Sequence, residues 1–308
     1  MQASKQHTAY LIGFGITFLG AILFSTKAIM VKLAFQHARV DALTLLTLRM
    51  LFSLPFYAVA AWLATRSPGV APLSRQQWIW VILLGLFGYY LSSLFDFMGL
   101  QYISAGLERL ILFLYPTFAV LLNAAVFKER VTGMQKAALV ITYLGIALAF
   151  WGELQLDLEN PHFYKGCLLV FACAVTFSVY LAGSGQLIPV IGPTRFTAYA
   201  ILAATGGIFL HFVLAGNGWT VISDSRDSWG YGLLLAIVAT VVPTFMFSAG
   251  VKRIGSNNAA IISGIGPVST ILQAHWILGE DIFAEQVIGT ALVVAGVLMI
   301  GWKRNRSE

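Results

Sequence analysis

The chain has 308 residues, of which 58% are apolar and only 10% charged, and it carries a formal net charge of +6 and a mean hydropathy of +0.81. A soluble domain carries about 25% charged residues, so the medium this sequence suits is lipid. Two cysteines, Cys167 and Cys173, cannot bridge from positions about 9 Å apart along one helix, which excludes a disulfide scaffold and leaves small packing residues.

Ten apolar stretches follow in chain order, near 10–31, 43–64, 78–98, 104–126, 133–152, 164–183, 196–215, 230–250, 256–278 and 286–302. A helix that crosses a bilayer needs roughly 20 residues. The stretches are apolar all round, without the alternation of a membrane barrel, so the predicted fold is an all-α membrane protein of ten transmembrane helices. The first stretch follows Lys5, contains Lys27 and continues to Lys32, so it reads as a first membrane helix and not as a cleaved signal.

A constant offset of 151 relates the two parts of the chain: Gly99 falls on Gly250, Pro116 on Pro267, Glu129 on Glu280, Gln135 on Gln286, Gly145 on Gly296 and Trp151 on Trp302. Such internal similarity marks a duplicated unit, here 1–152 and 153–308, five helices each. An odd number of helices per unit puts the second in the membrane in the opposite sense, an inverted-topology repeat. Charge gives the orientation. With the N-terminus inside, 12 Lys and Arg fall on cytoplasmic segments and four (Lys32, Arg39, Lys165, Arg226) outside, while nine of the acids fall outside. This is the positive-inside bias, with both termini cytoplasmic. It explains the basic balance as topology, without a nucleic-acid partner. All eight tryptophans lie at or beyond predicted helix ends, as an interfacial aromatic belt requires.

Inverted repeats create two near-equivalent states, with the binding site near the midplane where interrupted helices meet. Pro116 and Pro267 sit midway through the fourth and ninth stretches, and Ser263, Gly264 and Gly266 precede the second. A mid-helix proline removes a hydrogen bond, so Pro116, Pro267, Gly264 and Gly266 are the candidate hinges.

Five charges lie inside predicted spans: Lys27, Arg49, Asp96, Glu108 and Arg109, all in the first repeat and the outer half of the membrane, with a sum of +1. Intramembrane charges pair with one another or mark a substrate path. Two readings stand. In one, Lys27 or Arg49 neutralises Asp96 and Glu108 as a structural network. In the other, the surplus positive charge receives a carboxylate or phosphate, for which arginine is suited, and a buried carboxyl takes up the proton of a coupled cycle. Tyr89, Tyr90 and Tyr115 add amphipathic rings near the midplane. Asn123, Asn257, Asn258 and Gln273 are polar candidates that either line a route or bridge helices. His211 and His275 read as solvated interface histidines. The sequence has no cluster with metal-ligand spacing, no P-loop, and no H-E-x-x-H or G-x-S-x-G motif. The expectation is therefore a transporter without cofactor or metal, neither an ATP-driven pump nor an enzyme.

These residues resemble the drug/metabolite transporter superfamily, specifically the EamA type with two EamA repeats. Phe24-Ser25-Thr26-Lys27 with Val31-Lys32 is similar to the end of that family's first helix, and Leu48-Arg49-Met50 to its second. Pro116, Lys128-Glu129-Arg130, Gln135 and Gly145 resemble its fourth and fifth helices. Pro267, Gly279-Glu280, Gln286, Gly289 and Gly296 repeat the pattern. The chain departs from it in having Leu23-Phe24 where the family commonly has Trp-Gly, and in lacking a counterpart of Arg49 in the seventh stretch. The resemblance implies a ten-helix transporter of the bacterial inner membrane with a central cavity, moving a small-molecule substrate. An exporter of amino acids or similar metabolites is the expectation. The alternatives are an exchanger of organic anions or phosphorylated metabolites, or a passive channel. Coupling to protons or a counter-substrate stays open.

Overall fold

The computed structural model describes residues 2–66, 71–126, 128, 133–156 and 160–302. The described backbone is helical and contains no strand. Helix α1 runs Gln2–His37 and α2 Ala42–Thr65. Asp41 starts α2 by accepting from Leu43 N at 2.8 Å and Thr44 N at 3.0 Å, which satisfies first-turn donors that have no partner within the helix. Helix α3 (Arg75–Gly85) begins at a reciprocal Ser74–Gln77 capping box, passes through a π turn at Leu86–Leu91 and continues as α4 (Ser92–Gly99). Ser104 caps α5 (Ala105–Leu112), which stops and restarts as α6 (Tyr115–Val126). Helix α7 spans Gly133–Leu156.

In the second half α8 (Phe163–Ile191) and α9 (Pro193–Leu214) are separated by Gly192 at φ +88°, with Pro193 opening the new helix. A short α10 (Trp219–Asp224) precedes α11 (Arg226–Ala236), a second π turn at Ile237–Val241, and α12 (Val242–Ser263). Helix α13 (Gly266–Gln273) ends in a π turn at Ala274–Leu278, and Gly279 at φ +72° leads toward α14 (Ala284–Trp302).

Among the described residues, seven helical stretches are long and apolar enough to cross a membrane: Leu11–His37, Ala42–Thr65, Arg75–Gly99, Ala105–Val126, Phe163–Ile191, Pro193–Leu214 and Arg226–Gly250. Two shorter apolar helices, Lys136–Gly152 and Ala284–Gly296, occupy the fifth and tenth predicted stretches. The chain is thus a multi-pass helical membrane protein. The ninth stretch differs most from expectation. The turn anticipated after Gly250 is replaced by helical backbone that continues to Ser263, through a segment without proline.

The duplication appears in the backbone itself. Two of the three π turns begin 151 residues apart, at Leu86 and Ile237, while the third begins at Ala274, which falls on Asn123 within the regular turns of α6. Helix α5 ends at Leu112 and α12 at Ser263; α6 restarts at Tyr115 and α13 at Gly266. Even the hydrogen bonds across these breaks correspond: Leu114 N to Ile111 O with Ile265 N to Ile262 O, and Phe118 N to Leu114 O with Ser269 N to Ile265 O. Pro116 and Pro267 therefore occupy the first turn of restarted helices. There the missing N–H costs nothing, so the expected mid-helix kink is a full break instead.

Helix α7 lies along α14, α1 along α12 and α13, α2 along α9, and α8 along α4 and α6. Small residues permit these approaches, as lipid-embedded packing requires. A Cβ on Gly145 would lie 2.6 Å from Gly289 O, and one on Gly289 would meet Gly145 O in turn. A Cβ on Gly99 would strike Val170 and Gly166, while one on Gly250 would strike Thr17 and approach Gly13. The principal core gathers Ile29, Leu45, Leu46, Met50, Phe97, Ile208 and Leu235, where α1, α2, α4, α9 and α11 meet.

Candidate functional site

Against this core the structure sets most of the intramembrane charge. Lys27 on α1 and Asp96 on α4 form an ion pair of 2.6 Å, the only salt bridge among the described residues. Asp96 and Glu108 are both fully buried. The Glu108 carboxyl lies against that of Asp96 and within the field of Lys27, yet both its oxygens lack a hydrogen-bond donor among the described residues. Two ionised carboxylates have no proton to share, so this contact becomes a bond only when a proton or another cation joins them.

Arg49 on α2 takes a different partner set from the one the sequence suggested. It is 5% exposed, and its Nε donates to Thr240 Oγ1 at 3.0 Å and its Nη1 to Ser93 Oγ at 3.4 Å. Its guanidinium sits 5.6 Å from the centre of the Phe97 ring. Thr240 belongs to the second π turn and donates its own hydroxyl hydrogen bond to Leu235 O at 2.8 Å. Single-turn π segments often mark functional positions; this one presents a hydroxyl to an arginine from the other repeat. Arg49 feels the charge of Asp96 but forms no ion pair among the described residues. The site thus holds a cation secured by hydroxyls beside an incompletely neutralised acidic pair.

Arg109 stands apart. Its guanidinium lies against Gly266, where a Cβ would come within 2.7 Å of Nη2, and 5.4 Å from the Phe113 ring. Its Nε is buried without a partner among the described residues. Gly266 O also accepts from Ser25 Oγ at 3.2 Å, so α1 and α5 both address the break between α12 and α13. Gly264 lies within that break and Pro267 follows it, while Pro116 marks the corresponding break in the first half.

The tyrosines divide. Tyr89 bonds Tyr180 through the hydroxyls at 3.0 Å, with rings 5.0 Å apart. Tyr115 packs edge-on against Phe177 and Phe113. Tyr90 turns to His211, 3.0 Å from Nδ1, so the histidine read as solvated is a half-buried hydrogen-bond partner of that ring. The side chains of Asn257 and Asn258 lie outside the described residues. Gln273 donates to Ser269 Oγ at 2.8 Å. Among the described residues no group of three His, Cys, Asp or Glu side chains has metal-binding geometry.

The role of Glu280, which the repeat had marked, and the whole of the Tyr57 contact escaped the sequence. Glu280 spans the halves by accepting from Ala105 N at 2.9 Å and Gly106 N at 3.3 Å, capping α5 at its positive end. Tyr57, 1% exposed, donates to Thr244 Oγ1 at 3.2 Å, and Thr244 donates to Thr240 O at 2.6 Å, one turn from the Arg49 contact. The available signal was the repeat, because Thr240 and Thr244 fall on Tyr89 and Ser93 at the offset of 151.

The EamA-like transporter family matches this sequence twice, over residues 11–151 and 164–302. An uncharacterized transporter of Bacillus subtilis (strain 168), YcbK, is 30% identical over the full length of both chains. An uncharacterized transporter of Archaeoglobus fulgidus is 25% identical over 73% of this chain and 78% of its own. A solved crystal structure shares the fold with a TM-score of 0.64 and 23% identity, covering 98% of this chain and 99% of the other.

Proposed function

The chain belongs to the EamA-like transporter family, and from that premise we propose a secondary transporter working by alternating access, an exporter of amino acids or similar small metabolites. Its units are the inverted five-helix repeats 1–152 and 153–308, ten crossings in all, with both termini on the cytoplasmic side of the inner membrane. The matching backbone breaks and π turns support this arrangement. The observation that carries the substrate reading is the pairing of unlike recognition groups. Arg49 is held by Thr240 and Ser93 with no acid pairing it among the described residues, within the field of Asp96, whose neighbour Glu108 has no donor to its oxygens there. A zwitterion fits that pair, its carboxylate on the guanidinium fork and its ammonium at the Asp96–Glu108 carboxyls. In the empty cycle a proton at Glu108 fills the same role, which gives the transporter its coupling ion.

Liposomes loaded with an amino-acid mixture test the reading directly. Saturable efflux is expected from the native chain, with loss in both Arg49→Ala and Glu108→Gln. Undiminished efflux from the double variant would remove the site from the mechanism. A second reading, exchange of organic anions or phosphorylated metabolites, is favoured by Arg109, a second intramembrane arginine without an ion-pair partner among the described residues. Efflux that requires an anion on the opposite side selects it over export.

A further inference from the structure

A cleft of about 420 Å3 opens between the end of α2, the α8–α9 turn and Phe245 on α12, with Arg195 in its wall. It shares Ala60, Thr194 and Phe245 with a narrower space of about 30 Å3, lined also by Tyr57 and Thr244. There the route stops. Tyr57 donates to Thr244, its ring stacks on Phe245 at 6.3 Å and 20°, and beyond it lies Arg49, two turns earlier on α2.

The cleft has a definite charge. Among the described residues, Arg195 is the only ionisable side chain in its lining apart from the Tyr57 phenol. Arg195 is 9% exposed; its Nη1 donates to Ala71 O at 2.8 Å and its Nε is buried without a partner among the described residues. The remaining polar lining is hydroxyl: Thr194, Thr197, Thr244 and Ser248. A passage with one arginine at its mouth, another beyond its floor and no acid in its described lining concentrates anions.

Resting on the transporter reading above, we infer that this cleft is the access route for a carboxylate-bearing solute from the membrane face that carries Arg195. The Tyr57 contact with Thr244 and Phe245 is the gate between that route and Arg49. Tyr57 is a positioning residue here: it closes the path and does not bind the solute.

Charged, membrane-impermeant thiol reagents test the route without knowledge of the cargo. In the full chain with Cys167→Ala and Cys173→Ala, single cysteines are placed at Thr194→Cys in the mouth and Ser93→Cys beyond the gate. Membrane vesicles of both orientations are then treated with a sulfonate or a trimethylammonium methanethiosulfonate. Thr194→Cys is expected to react from one face only, and faster with the sulfonate once rates are normalised to a free thiol. Adding Tyr57→Ala is expected to raise the reactivity of Ser93→Cys from that same face about tenfold, the change that follows when the contacts holding a closed state are lost. Tyr57→Phe keeps the ring and its packing, and a rise of about threefold is expected for the hydroxyl alone. Preference for the cationic reagent overturns the anion route. Ser93→Cys reactivity that neither Tyr57 variant changes overturns the gate. Both readouts are independent of efflux, so a gated anion path in a chain that exports no amino acid would refute the cargo and leave the route standing.

Discussion

The two halves of the molecule share a backbone and differ in chemistry. Two of the three π turns, the broken helices and the bonds across the breaks recur at one spacing, and glycine clamps recur in kind, Gly99 on α8 and Gly250 on α1. At the same spacing Arg49 falls on Ala200, Asp96 on Phe247, Glu108 on Ala259 and Arg109 on Ala260. In the first helix of each half the spacing is 153, because Gly13 meets Gly250 as Gly166 meets Gly99, so Lys27 falls on Tyr180. Packing constrains both copies because each must fit the other. Recognition needs only one cavity, so one copy carries the charge while the other supplies hydroxyls such as Thr240 and the helix break at Gly266.

The largest expected effect separates ion pairing from recognition. Lys27→Met leaves Asp96 buried without its cation and is expected to destabilise the protein by about 3–5 kcal/mol, read as thermal unfolding in detergent. Lys27→Met with Asp96→Leu is expected to regain most of that stability while efflux stays lost; recovered efflux would make the pair mere scaffold. Next come the clamps that both halves need. Gly145→Leu and Gly289→Leu drive side chains into opposing backbone and are each expected to cost about 1–3 kcal/mol or more. A large effect at one and none at the other would break the equivalence of the two helices.

Arg49→Lys sharpens the contrast in chemistry. Lysine keeps the charge but not the fork that spans Thr240, Ser93 and a carboxylate, so initial efflux rates are expected to fall about tenfold with folding intact. The smallest test compares two serines related by the spacing of 153. Ser25→Ala removes a hydroxyl shared between Ala21 O in its own helix, at 2.9 Å, and Gly266 O across the halves, at 3.2 Å, and is expected to cost about 0.6 kcal/mol. Among the described residues Ser178 bonds Val175 O in its own helix, and Ser178→Ala is expected to leave the unfolding temperature unchanged.

Much of this plan was legible in the residues. Proline, glutamate and tryptophan at a shared phase exposed the duplication, and Pro116 and Pro267 marked both breaks to within two residues. Charge in an otherwise apolar chain exposed the cluster, because burying it unpaired is costly. Partner choice was not legible. Either Lys27 or Arg49 was expected to answer the acids; Lys27 pairs with Asp96, while a hydroxyl from the other half holds the Arg49 guanidinium. The π turns, in LFGYYL and IVATV, carry no residue that demands them. Tyr57 could not be found either: helices apolar on every face give no periodicity to tell lumen from lipid, and its partner lies 187 positions away.

Where α7 crosses α14, Gly145 and Gly289 bring main chain against main chain, with Leu292 and Val293 packed close beside Gly145, and such a seam leaves little room to slide. The pair therefore behaves as a mast: whatever tilting accompanies turnover belongs to the helices hung around it. Spin labels at Met134 and Met299 would keep a fixed separation through the cycle while labels across the α2–α12 cleft move.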